Sequence, residues 1–200
     1  MRLDHIAYRV ADRHKTVDFF VKAFGYTVQT EFDIKFNDGS TARCFALEPP
    51  EKVLETLPWK HQLIATGLNE KLVEFHMAPE IFVSDGTPDS IVGKWVAKRD
   101  GVGGIHHLAY QVDSVKGQME EWKLKGFAEF TTAEPLTCPD LTQVFTKPSL
   151  LTGVIYEFIE RGKHGFCQDN VKDLMLSTQD ADAELKLKID EPTAVITKLD

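Results

Sequence analysis

The sequence predicts an α+β fold made of two paired βαβββ modules that together form a cupped, barrel-like mixed sheet with helices outside. Three observations carry this. The stretch Asp4-His5-Ile6-Ala7-Tyr8-Arg9-Val10 returns 102 residues later as His106-His107-Leu108-Ala109-Tyr110-Gln111-Val112. A helical stretch follows each copy and ends at a Gly-aromatic pair, Gly25-Tyr26 and Gly126-Phe127. A later echo matches Leu72-Val73-Glu74-Phe75 with Ile155-Tyr156-Glu157-Phe158. Two copies are too few for a solenoid, so the repeat implies two similar modules facing each other. They are placed at 1–100 and 101–176, the second closing with a helix, followed by an acidic tail over 177–200, part of which is expected to be mobile.

Each element has a local reason. Residues 3–10 are apolar and β-favouring and predict a strand; strict alternation puts Leu3, His5, Ala7 and Arg9 on one face and Asp4, Ile6, Tyr8 and Val10 on the other. Val17, Phe20, Val21 and Phe24 recur at helical spacing, and Gly25 stands where a C-terminal cap belongs. Strands over 26–36 and 41–48 flank Asn37-Asp38-Gly39-Ser40, whose Asp-Gly signals a hairpin turn. Short strands are predicted at 62–67 and 71–77. Ile81-Phe82-Val83 reads as a strand or as an apolar plug in a loop, and 91–98 as a helix. After the joint Asp100-Gly101-Val102-Gly103-Gly104, alternation places Ile105, His107, Ala109 and Gln111 on one face and His106 on the other. A helix over 115–125, strands over 141–147 and 153–160, and a helix near 170–176 complete the second module.

Composition narrows the function. A hydrophobic content of 42% and a charged content of 27% are ordinary for a soluble globular chain. No apolar run has the length of a membrane helix, and the N-terminus lacks the apolar core of a signal peptide, so a cytoplasmic protein that does not use a membrane is expected. The net charge of −8 is the wrong sign for a nucleic-acid binder. Cys44, Cys138 and Cys167 form no CxxC pair, which argues against a disulfide framework or a thiolate zinc site.

One histidine in a strand is ordinarily structural. His5 and His107 differ because they hold matched positions in the repeat and share parity with the small Ala7 and Ala109, which leave room in a cavity. Glu157 lies among Val154, Ile155, Tyr156, Phe158 and Ile159, where a carboxylate is costly to bury unless it is paired or metal-bound. Two imidazoles and one carboxylate form the facial set used for non-haem Fe(II), with open positions for substrate and dioxygen. Glu74, between Val73 and Phe75, could be a fourth ligand or a base; a set of two His and two Glu suits Lewis-acid and proton-transfer chemistry instead. His106, facing away from His107, reads as packing. His14, His61, His76 and His164 read as non-ligands.

The paired modules, the strand histidine near the N-terminus, the segment Gly-Gly-Ile-His-His-Leu-Ala and the late strand glutamate resemble the vicinal oxygen chelate superfamily over residues 3 to 176. That superfamily includes glyoxalase I, methylmalonyl-CoA epimerase, extradiol dioxygenases and 4-hydroxyphenylpyruvate dioxygenase. Leu141-Thr142-Gln143-Val144-Phe145-Thr146-Lys147-Pro148 and 155–161 are most similar to the strand pair that carries the glutamate ligand in the hydroxyphenylpyruvate dioxygenases. Residues 165–174 resemble their Gly-Phe-Gly-x-Gly-Asn-Phe-x-x-Leu lid segment, with Cys167 and Asp169 in place of glycines and Val171 in place of phenylalanine. Those enzymes carry a second pair of modules, which this sequence lacks, and the joint around 95–107 also resembles methylmalonyl-CoA epimerase.

The resemblance implies a metal held by His5, His107 and Glu157, with Fe(II) favoured and Zn, Ni, Co or Mn as alternatives. It implies a 2-oxo acid substrate such as 4-hydroxyphenylpyruvate, contacted by Gln143 and stacked on by Phe166, decarboxylated and hydroxylated with O₂. It also implies a homodimer. Two other readings stay open: an epimerase or glyoxalase-type lyase using Glu74, and a resistance-type binding module that sequesters a small molecule without catalysis.

Overall fold

The computed structural model describes residues 1–50, 78–139, 141–162 and 168–180. The strands expected at 62–67 and 71–77, with Glu74, lie outside the described residues, as do His61, His76, His164, Phe166, Cys167 and the tail beyond Asp180. Strands and helices combine in the α+β class expected from the sequence, and the chain divides into two compact units, Met1–Gln111 and Val112 onward.

In the first unit the described strands are β1 (Arg2–Val10), β2 (Thr27–Lys35), β3 (Thr41–Glu48), β4 (Glu80–Gly86) and β5 (Gly103–Gln111). They run in the order β2-β3-β4-β1-β5, with β1 parallel to β4 and every other pair antiparallel. Ile81-Phe82-Val83 is therefore strand and not plug. Helix α1 (Arg13–Phe24) starts at Asp12, whose carboxylate accepts from Lys15 N, and stops at Gly25, whose φ of 75° a side chain would resist. Its Val17 packs with Val10, Tyr26, Phe45, Leu47, Ile81 and Val83, and Phe20, Ile6 and Tyr8 join them. Arg13 fastens the helix start to this face: its backbone N–H donates to Asp85 Oδ2 at 3.1 Å and its guanidinium reaches Glu31 at 2.7 Å. Helix α2 (Ile91–Ala97) is capped by Ser90, whose Oγ accepts from Gly93 N at 3.0 Å.

The core cluster takes one face of β1, β3 and β4. By pairing, the opposite face carries His5 and Ala7 from β1, Phe82 from β4, Ala46 and Cys44 from β3, and His107 and Ala109 from β5. Ala109 and Ala7 stand directly across the ladder from His5 and His107, as the repeat predicts, and the Phe82 ring lies 6.5 Å from that of His5.

The β1–β5 ladder departs from strict alternation twice. Leu3 pairs with Tyr110 and His5 with Ala109, so Asp4 is an extra residue on β1. Ala7 pairs with His107 and Tyr8 with Ile105, so His106 is an extra residue on β5. The two bulges cancel, and the pairing from Tyr8 to Val10 resumes the register of Arg2 and Leu3. The assignment of Asp4 and His106 to faces away from the histidines, made by alternation, is therefore corrected: a bulge suspends the period of two on which it rested.

In the second unit β6 (Leu136–Cys138), β7 (Leu141–Phe145) and β8 (Ile155–Arg161) form the antiparallel order β8-β7-β6. Helix α3 (Val115–Leu124) is capped by Ser114 and packs on one face, with Trp122 edge-on to Phe158 at 4.7 Å between ring centres. On the other face α4 (Gln168–Ser177) sets Leu174 against Phe145 and Ile155. Strand β6 carried no clear sequence signal, being three residues long.

Candidate metal centre

His5 and His107 sit on adjacent strands, two pairing positions apart on one face. Their Nε2 atoms approach to 3.2 Å, and both rings are buried. Two neighbouring imidazole donors, each about 2.1 Å from one ion, stand roughly 3.0–3.4 Å apart for bond angles between octahedral and tetrahedral. The pair fits two adjacent positions on a single divalent cation.

Each ring is fixed through its other nitrogen. His5 Nδ1 lies 2.8 Å from Asp4 Oδ1, and His107 Nδ1 lies 2.8 Å from His106 Nδ1. With Nδ1–H donated to the Asp4 carboxylate, the Nε2 lone pair of His5 is left facing its partner, the arrangement in which a histidine ligates best. Sequence reasoning missed both supporting residues. The signal available was their adjacency, Asp4 before His5 and His106 before His107 at matched repeat positions, but alternation sent them to the wrong face.

His106 is also a packing residue, as expected. It meets Trp95 of α2 edge-on at 5.6 Å, and the Arg99 guanidinium covers the same indole at 3.6 Å. Burial first, then the charges of Arg9, His107 and Arg99, holds the His106 imidazole well below the usual histidine range, so it is neutral near pH 7.

Glu157 is on β8 of the second unit, buried to 2% exposure. It pairs with Phe145, and Gln143 sits two residues along on the same face of β7. Gln143 is 1% exposed, and its Nε2 has no hydrogen-bond partner among the described residues. A buried amide donor left unsatisfied costs stability. Cys44 is fully buried, and that burial pushes its thiol far above the usual range; it is a packing residue, not a nucleophile. His14, expected as a non-ligand, is exposed and lies edge-on to Phe45 at 5.5 Å.

Residues 4–137 match the family model described as the Glyoxalase/Bleomycin resistance protein/Dioxygenase superfamily. The chain belongs to this superfamily. No curated protein sequence matches this member of the superfamily. Among solved structures, a 4-hydroxymandelate synthase mutant from Streptomyces coelicolor aligns with a TM-score of 0.65 at 18% identity, over 90% of this chain and 54% of that one. Methylmalonyl-CoA epimerase from Mycobacterium tuberculosis aligns at 0.56 and 20% identity, over 81% of this chain and 89% of that one. A hypothetical protein from Bacillus halodurans C-125 aligns at 0.56 and 21% identity, over 83% and 98%. At such identities these likenesses show the fold alone. Among the described residues, no helix is long and apolar enough to cross a membrane.

Proposed function

We propose that this superfamily member is a metal-dependent enzyme in which His5, His107 and Glu157 hold one divalent cation, and that it acts as an Fe(II) dioxygenase on a 2-oxo acid such as 4-hydroxyphenylpyruvate. The observation that carries the metal reading is the 3.2 Å approach of two buried Nε2 atoms, each ring anchored at Nδ1. Glu157 supplies the carboxylate that turns two imidazoles into a facial set. Once bound, Fe(II) would supply Lewis-acid and dioxygen-activating chemistry.

The remaining roles fall to side chains. The small surroundings of the histidines, Ala7, Ala46 and Ala109, leave room for a substrate beside the donors. The Gln143 amide would donate to a substrate oxygen, on the same sheet face as Glu157. Helix α4 excludes water from that face by packing Leu174 over Phe145 and Ile155. Phe166 would stack on an aromatic substrate. The 4-hydroxymandelate synthase likeness, the broadest in coverage of this chain among those described, is in keeping with an aromatic acid. A homodimer is part of the same reading.

A second reading is favoured by how much of each relative aligns: 97% of one methylmalonyl-CoA epimerase and 89% of another. Under it, Glu74 would be a further ligand or base, and the reaction a proton transfer beside a carbonyl.

Oxygen uptake by anaerobically purified, Fe(II)-supplemented protein decides between them. With a panel of aromatic 2-oxo acids, O₂ consumption matched by CO₂ release and lost in His107→Ala is expected. Tight metal binding with no O₂ uptake, but exchange of the C2 proton of methylmalonyl-CoA with deuterated solvent, would replace the dioxygenase by the epimerase reading. No metal uptake would leave a binding module.

A further inference from the structure

We infer that His106 is the positioning residue of His107, the counterpart on β5 of what Asp4 is for His5 on β1. This rests on the reading that His5 and His107 hold a divalent cation, and concerns what lies behind them.

The repeat aligns Asp4-His5 with His106-His107, so the two supporting residues hold one position in two copies of a motif. Each is the extra residue of a bulge, and the two bulges lie on the two strands of one ladder, with the pairs from His5–Ala109 to Ala7–His107 between them. Each places a polar atom 2.8 Å from the Nδ1 of the histidine that follows. A bulge is what allows consecutive residues to meet in this way, and bulges are features that re-aim side chains. Matching geometry reached twice, by different residue types, is difficult to explain as packing alone.

The chemistry gives each bulge a purpose. An imidazole that ligates through Nε2 carries its proton on Nδ1, and that N–H needs an acceptor in a buried site. Asp4 Oδ1 is one such acceptor and His106 Nδ1 is the other. Their natures differ. The carboxylate makes His5 the more electron-rich donor, while a neutral imidazole leaves His107 the weaker one. His106 is itself held from behind by Trp95, whose indole is covered by the Arg99 guanidinium at 3.6 Å, with that of Arg9 at 5.8 Å from its centre. The second anchor therefore reaches through α2, which Ser90 starts.

The test uses the whole protein and Co(II) as the probe. Co(II) affinity should fall 10–100-fold in His106→Phe, which keeps a ring but no acceptor, and return most of the way in His106→Asn, whose Oδ1 can accept. Equal Co(II) binding by wild type and His106→Phe, with both folded by near-ultraviolet circular dichroism, would overturn the inference. A metal-free measurement stands independently: ¹⁵N spectra of histidine-labelled wild type should show coupling between the two Nδ1 atoms across their hydrogen bond. Its absence overturns the pairing whatever the metal does. Its presence in a wild type that takes up no Co(II) would sink the metal reading while upholding His106 as the residue that orients His107.

Discussion

His5 and His107 point their Nε2 atoms at each other across 3.2 Å although 102 residues separate them. Both rings are buried, and each has its other nitrogen engaged by the residue before it. Two imidazole nitrogens thus converge on one antiparallel ladder.

The carboxylate behind His5 should matter to metal binding more than to folding. Asp4→Asn keeps an oxygen acceptor for Nδ1–H but removes the charge that strengthens the imidazole as a donor. We expect Co(II) binding about tenfold weaker, at the lower end of such outer contacts, with a melting temperature close to wild type. Isothermal titration beside thermal melts checks both. A fall in stability with unchanged affinity would make Asp4 merely structural.

Gln143 offers a prediction with an unusual sign. Its buried Nε2 lacks a partner among the described residues. Gln143→Met retains the volume and removes the unsatisfied donor, which should stabilise the free protein by about 1–3 kcal/mol. The same change should raise KM for the substrate. Denaturant unfolding and steady-state kinetics measure the two effects, and a destabilised Gln143→Met would show that the amide is satisfied in the free protein.

The histidine pair stands out in the sequence through the repeat and Glu157 through its apolar neighbours, both properties of the chain itself, whereas Gln143 is singled out only by the family resemblance. Helix α1 was legible through its spacing and Gly25. What was not legible is the bulge: nothing in Leu3-Asp4-His5 differs locally from a regular strand, and the slip exists only relative to Tyr110 and Ala109 on another strand. Strand β6 escaped for a related reason, since three residues acquire their identity from pairing with β7 and not from any pattern of their own.

Cys44 should leave a mark on alkaline stability. Burial raises its thiol pKa in the folded state, so the unfolded chain loses that proton first, near the ordinary thiol value of about 8.5. Stability from this group is intact below that pH and declines above it, by up to about 1.4 kcal/mol per pH unit. Cys44→Ala should flatten the slope of unfolding free energy between about pH 9 and 10. The thiol of the folded wild type should also resist alkylation. An unchanged slope would mean that residual structure buries Cys44 in the unfolded ensemble too.

Gly103 opens the strand that carries His107. Its φ is 82°, and a Cβ there would stand 2.2 Å from the Arg9 carbonyl oxygen. Gly103→Ala therefore combines left-handed strain with a backbone clash, and should cost about 2–5 kcal/mol. Co(II) affinity should fall with it, because β5 cannot then close on Val10. A variant melting within about a degree of wild type, which at the usual few degrees per kcal/mol is a negligible cost, would contradict this.

The bulges of β1 and β5 also bear on how this sequence can change. Each holds one residue that has no partner across the ladder, so deleting Asp4 would leave Leu3 opposite Tyr110 and His5 opposite Ala109, and deleting His106 would leave Ala7 opposite His107 and Tyr8 opposite Ile105. Either strand could therefore lose its extra residue, independently of the other, without moving a neighbour to the wrong face. Single-residue deletions at these two sites should be tolerated by the ladder and additive in their effects, the loss falling on the histidine that each extra residue backs.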